Sequence, residues 1–291
     1  MTWTDKLALL REISAANIDG AADLYAGSLR ELLQDYQNIK FGTTEWNSAN
    51  NAARFLIAEL VAARHEAAGT DLWRSYQTFT DSIVQAEALA ALGELKVDSR
   101  YADVLQVVNT LNLRTSATNR PNDENIAAGG FTALEKYGNP EGYLAAFIGS
   151  ESWYREFVKQ RARSAFNTLL QDPSRLLPDI ILSPQYAPSV KYRALEYVDG
   201  ASIDNSQKAE IASKSLAQGW RSLSGDPHIA REVVNFRRLA LQMIRKYGTD
   251  QTNETYAALN RSLKDGGLDE KLDCIPALGS INTPESATII L

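Results

Sequence analysis

Side chains suited to covalent or metal chemistry are few and scattered in this 291-residue sequence. The single cysteine, Cys274, excludes a disulfide framework and any thiolate-rich metal site. No basic cluster sits beside it in sequence to draw out a thiolate, so it reads as a small core residue. The two histidines, His65 and His228, are too widely separated for most histidine-clustered metal centres. His65 follows Arg64 on a helix expected to end near Gly69, and His228 falls in a first helical turn after Asp226-Pro227. Both read as surface or helix-terminal residues rather than ligands. The sequence contains no G-x-G-x-x-G, no G-x-x-x-x-G-K-[ST] and no G-x-S-x-G. Gly129-Gly130 lies in a helical frame and fits close helix packing better than phosphate cradling. Carboxylates abound, so no pair of them singles out acid–base work. These residues point to no catalytic group, no metal and no cofactor.

The elements that would position any site are helices. Hydrophobic residues make up 44% and charged residues 23%, the balance of a folded, soluble protein. Four sites pair a capping residue with proline at the first helical position: Asn139-Pro140, Asp172-Pro173, Asp226-Pro227 and Thr283-Pro284. Val158, Ala162, Ala165, Phe166, Leu169 and Leu170 form one stripe of an amphipathic helix, as do Phe236, Ala240, Met243, Ile244 and Tyr247. Residues 173–182 read as a short helix kinked at Pro178. Alternating β-branched stretches do not occur, so no Asn-Gly or Asp-Gly pair is flanked as a hairpin turn. No apolar run reaches the roughly 18 residues of a membrane span, and the first residues carry no signal-peptide pattern. The expected location is therefore cytoplasmic, or periplasmic or exported if a leader was trimmed. The helix start at Thr283-Pro284-Glu285, six residues from the last, suggests a terminal repeat cut short.

A frame recurs along the chain. Asp81, Val84, Ala88 and Ala91-Leu92-Gly93 set it out most fully: an aspartate cap, Val, Ala and Leu on one face, then Gly expected to close the helix in the left-handed conformation. Copies start at Ala52, Val84, Ile126, Val158, Val190, Val233 and Glu270, spaced by 32, 42, 32, 32, 43 and 37 residues. Helix-pair repeats run to about 30–45 residues, so the longer gaps read as loop insertions.

The frame resembles the HEAT-repeat family, including the short HEAT-like repeats of phycobilisome lyases. Asp81, Val84, Ala88 and Ala91-Leu92-Gly93 match its second helix, Val158-Lys159 and Val190-Lys191 its Val-basic pair, and Ala277-Leu278-Gly279 its closing triplet. Leu176-Leu177-Pro178 resembles its proline-containing first helix. Departures include Gln85 in place of the basic residue, Phe166 and Val198 in place of Leu, and Pro276 inside the last helix. The resemblance implies an all-α, right-handed α-α superhelix of about seven to eight helix pairs. It would span residues 1–291 as one solenoid, with divergent repeats over 1–80 and clearer ones over 81–291. It also implies that the second helices line a concave face. A non-enzymatic scaffold binding an unidentified protein or peptide follows. The other function the resemblance allows is an enzyme of the bilin-lyase type or, against the acidic balance, the DNA-glycosylase type.

Charge locates the expected contact surface. The net charge of -6 argues against a nucleic-acid partner. Residues 1–152 carry 12 Lys and Arg against 20 Asp and Glu, residues 153–246 carry 15 against 9, and residues 247–291 carry 3 against 7. The basic middle has two readings. In one, Lys159, Arg163, Lys191, Arg193, Arg237, Arg238 and Arg245 form a concave patch for an acidic partner, peptide or nucleic acid. In the other, the bases that follow Val pair with carboxylates of adjacent repeats, and the rest, Arg161 and Lys246 among them, are solvated. Trp3, Trp46, Trp73, Trp153, Tyr154 and Trp220 likewise either line a peptide groove or plug repeat junctions.

Overall fold

The computed structural model describes residues 1–18, 20–114, 120–170 and 172–291. Sixteen α-helices and four short 3₁₀ turns make up the regular structure, and no strand occurs among the described residues. No helix among them is long and apolar enough to cross a membrane. The helices group into two compact units, Met1–Leu170 and Gln171–Leu291.

Local chemistry explains where the helices begin. Thr2 and Asp5 form a reciprocal capping box, and the Asp81 carboxylate accepts from the backbone N–H groups of Ile83 and Val84. All four residue–proline marks open helical segments as expected. The side chains of Asn139, Asp172, Asp226 and Thr283 accept from the first-turn N–H groups of Glu141, Ser174, His228 and Ser286 respectively. The helix over Pro173–Leu182 runs through Pro178.

In the first unit the helices are α1 (Trp3–Ala15), α2 (Ala21–Asp35), α3 (Thr44–Ala62), α4 (Gly69–Thr78), α5 (Ser82–Glu94), α6 (Tyr101–Asn112), α7 (Arg120–Tyr137), α8 (Tyr143–Glu151) and α9 (Glu156–Leu169). Odd-numbered helices pack in sequence, α1 on α3, α3 on α5, α5 on α7 and α7 on α9. Even-numbered helices lie against this row, with α2 packing on α4 and α6 on α8. The second unit holds α10 (Pro173–Leu182), α11 (Pro188–Gly200), α12 (Asn205–Arg221), α13 (Pro227–Tyr247), α14 (Asn253–Asp265), α15 (Leu268–Ile281) and α16 (Pro284–Ile290). There α11 packs on α13 and α13 on α15, while α10 packs on α12, α12 on α14 and α14 on α16. The seven sequence frames fall one to a helix, on every odd-numbered helix from α3 to α15.

The cores follow the predicted stripes except at their last members, Leu170 and Tyr247, which are half-buried at the helix ends. Val158, Ala162, Ala165, Phe166 and Leu169 are buried on α9, and Phe236, Ala240, Met243 and Ile244 on α13. Burying side chains of the larger kinds stabilises by about 1.5–3 kcal/mol each. One expectation is overturned. Gly93 and Gly279 do not close their helices in the left-handed conformation; both lie inside them. The left-handed residues that follow α5 and α15 are Lys96 (φ 50°) and Asn282 (φ 51°). Gly93 is there because α5 and α7 approach so closely that a Cβ would lie 2.5 Å from the Cα of Ala133. His65 is also relocated: α3 ends at Ala62, and Gly69 opens α4.

Burial of phenols makes the first unit sensitive to alkali. Burial pushes the Tyr101 hydroxyl up to about 12, and raises those of Tyr137 and Tyr154 further. These groups keep their protons in the folded state at pH values where the unfolded chain releases them. Their stabilising contribution is whole below about pH 10 and is lost as pH rises through 12 and beyond. Tyrosinate absorbance from these residues is expected to appear together with loss of helical circular dichroism, in one cooperative step. Ionisation that runs ahead of unfolding would contradict this.

Candidate functional site

The seven basic residues singled out by charge have different fates. Arg237 is interior. It reaches from α13 to α15, where its Nε and Nη2 donate to the two carboxylate oxygens of Glu270 at 2.8 and 2.7 Å. Arg237 is 4% exposed and Glu270 is fully buried. The guanidinium stacks over the Trp220 ring at 3.9 Å, and a second guanidinium, that of Arg261, lies over the same ring at 4.6 Å. The Trp220 indole N–H donates to the Ser262 hydroxyl at 2.8 Å. Gly219 makes this possible, because a Cβ there would collide with the Arg237 stem.

Arg238 donates to Asp273 at 2.6 Å and to Asp269 at 3.4 Å. The bond to Asp273 is the main cause that holds its pKa above the usual arginine value. Arg163 pairs with Glu156 and Arg193 with Glu196, each on its own helix. Lys191 is buried, and burial lowers the pKa of its amine. Lys159 and Arg245 make no ion pair among the described residues, and Arg245 is exposed. Lys246 bonds to Asp199 at 3.1 Å. Burial alone would raise the Asp199 carboxyl, but the Tyr247 hydroxyl and the Lys246 ammonium hold it below its ordinary value.

Charge pairing between successive odd helices is therefore extensive, but it uses different residues from those expected. The bases that follow Val, Lys159 and Lys191, take no part in it. Arg54 on α3 pairs with Glu87 on α5, and Lys136 on α7 with Glu94 on α5. Arg155, just ahead of α9, donates its backbone N–H and its Nε to the fully buried Glu124 on α7, at 2.6 and 2.5 Å. Exposed pairs of this kind contribute little, whereas those with a buried carboxylate set the helix register, because that charge has no alternative partner in water. Sequence inspection could not single out Glu124 or Glu270 among the 36 acidic residues.

The tryptophans also separate into classes. Trp3 and Trp220 are interior, the first donating from Nε1 to Asp35 at 3.1 Å. Trp153 donates to the Leu111 carbonyl at 3.3 Å, and its neighbour Tyr154 is buried. Trp46 packs edge-on against the exposed Phe41 at 4.8 Å. Trp73 is half-buried and lines a groove with Tyr76.

Cys274 is fully buried, and burial, with the Glu270 carboxylate nearby, pushes its thiol up to about 12, an inert core residue. His65 lies 3.8 Å from Asp23, and His228 lies 3.7 Å from Glu232 on the same helix. Gly129 and Gly130 pack against Ala86 and Val108. Among the described residues, no three His, Cys, Asp or Glu side chains are placed to hold a metal ion. No protein-family model, curated protein or solved structure matches this chain.

Proposed function

We propose that the protein is a non-enzymatic interaction scaffold, built from HEAT-like helix pairs and taking an acidic protein or peptide on the face of its odd-numbered helices. The observation that carries this reading is the packing order within each unit. Each odd helix lies on the next odd helix within its unit, each frame of the sequence supplies one of them, and ion pairs to buried carboxylates join neighbours about one repeat apart. Such an arrangement shares its core only between neighbours and leaves long helical faces open to partners.

Of the seven basic residues singled out by charge, Arg245 and Lys159 are left to meet an acidic partner, since Arg163, Arg193, Arg237 and Arg238 already have carboxylates and Lys191 is buried. Arg245→Glu and Lys159→Glu, made singly, are expected to leave the melting temperature within about 2 °C, as for surface substitutions generally. At least one of them is expected to reduce retention of a specific partner from native extract by tenfold or more. An unchanged set of retained proteins in both variants would reject the reading.

A further inference from the structure

The row of even-numbered helices in the first unit has a gap. α2 packs on α4, and α6 packs on α8, but α4 and α6 make little direct contact. A groove of about 240 Å³ opens between them. One wall is Trp73 and Tyr76 of α4, their rings 5.1 Å apart and inclined by 34°. The other is Gln106, Val107 and Thr110 of α6.

The charges at this groove cancel in pairs. Arg100, which lies over the Trp73 ring at 5.7 Å, donates to Asp103 at 2.9 Å. Arg114 donates to Asp123 at 2.5 Å. A charged occupant therefore finds no unpaired counter-charge. What remains is a set of neutral hydrogen-bonding groups beside aromatic faces. The Trp73 indole N–H, the Tyr76 hydroxyl and the Gln106 amide make no hydrogen bond among the described residues. Two of these three sit on aromatic side chains, the residue kinds that dominate recognition hot spots.

We propose that this groove binds an extended, uncharged, proline-containing peptide segment, with a proline ring against Trp73 and Tyr76 and carbonyl groups accepting from Trp73 Nε1–H and the Tyr76 hydroxyl. Three features of the groove select that occupant. A helix of about 10–12 Å diameter is too wide for a space of this volume, whereas one or two extended residues fit. A polyproline II segment has no internal hydrogen bonds, so its carbonyls are free to accept. Proline has no N–H to satisfy, and the donor-only Trp73 indole N–H calls for an acceptor such as a backbone carbonyl. Aromatic-lined grooves recognise such segments because they are pre-extended and lose little entropy on binding.

This inference rests on the interaction-scaffold reading and adds the chemistry of one ligand. Its test is calorimetric titration of the full chain with a blocked, uncharged, proline-rich peptide of about ten residues, beside the same peptide with alanine for proline. The proline peptide is expected to bind saturably, and the alanine peptide at least tenfold more weakly. Tyr76→Phe keeps its ring and drops one donor, and Trp73→Phe drops the other donor while keeping a smaller aromatic face. Each is expected to weaken binding about fivefold, the worth of one neutral hydrogen bond, with melting unchanged. The proposal is overturned by the absence of heat at about 1 mM peptide, by equal binding of the alanine peptide, or by undiminished affinity in the double variant. Tighter binding of a neutral oligosaccharide would overturn it as well. Failure here with retention of a partner that depends on Arg245 or Lys159 removes the groove assignment and leaves the scaffold reading standing.

Discussion

Replacing Gly129 by alanine is expected to destabilise the first unit by about 3 kcal/mol or more, and by leucine to prevent its folding. Gly129 faces Ala86 where α7 crosses α5, and an added Cβ would lie 2.6 Å from the Ala86 Cα and closer still to its carbonyl oxygen. Both neighbours are backbone, so no side chain can rotate away, and the helices must part. Gly93 makes the reciprocal contact from α5, with its Cβ position 2.5 Å from the Cα of Ala133. Separating the helices would also stretch the hydrogen bonds that Ser82 makes with Asn122 and Asn125 across the same contact. The control is Gly279→Ala. Gly279 lies inside α15 with open space where its Cβ would be. Alanine there is expected to stabilise the protein by about 0.5–1 kcal/mol through helix propensity. Urea midpoints for Gly129→Ala and Gly279→Ala should therefore move in opposite directions. If Gly279 closed its helix in the left-handed conformation, as the sequence frame implies, both would fall. The two outcomes separate packing glycines from capping ones.

Removing Arg237 alone is expected to cost about 3–5 kcal/mol, because Glu270 is then a buried carboxylate without its bidentate partner. Arg237→Glu should be worse, since it places two carboxylates against each other in the same interior position. The double replacement Arg237→Met with Glu270→Leu is expected to recover most of the loss, as buried ion pairs are often matched by apolar groups of similar volume. Single and double variants measured by denaturant unfolding form a cycle whose coupling term reports the pair directly. Additive losses would show that the two residues act independently, contrary to the geometry. The same experiment decides between the two sequence readings of the basic middle. A partner-contacting Arg237 would leave stability untouched when reversed, and a register-setting Arg237 would not.

Helices were legible in the sequence because their signals are local. Asp81, Asp172, Asp226 and Thr283 each bond to backbone within three residues, so the identity of the side chain and its position suffice to mark a helix start. The apolar stripes of α9 and α13 follow from a period of 3.6, again a property of a single segment. The odd-helix frame was legible for a related reason, since the same burial pattern recurs once per helix pair. The groove was only partly legible. Trp73 reads from the sequence as an aromatic that lines a groove or plugs a junction, but the gap between α4 and α6 has no signature in either helix. Its partner Tyr76 carried no signal of its own.

The sequence by itself determined that the chain is helical, where most of its helices start, that an apolar face recurs at a regular period, and that nucleotide-loop and serine-hydrolase motifs are absent. Only the tertiary structure decided which glycines pack and which cap, which arginines are interior and which are free, and where the even row opens. The physical reason is distance along the chain. Arg237 and Glu270 are 33 residues apart and Trp220 and Ser262 are 42 apart. Whether such groups meet depends on the register of stacked helices, and that register is set by side-chain volumes such as the missing Cβ of Gly93 and Gly129. The net charge of -6 contains none of this information. Burial divides that total into a few interior pairs and many exposed charges.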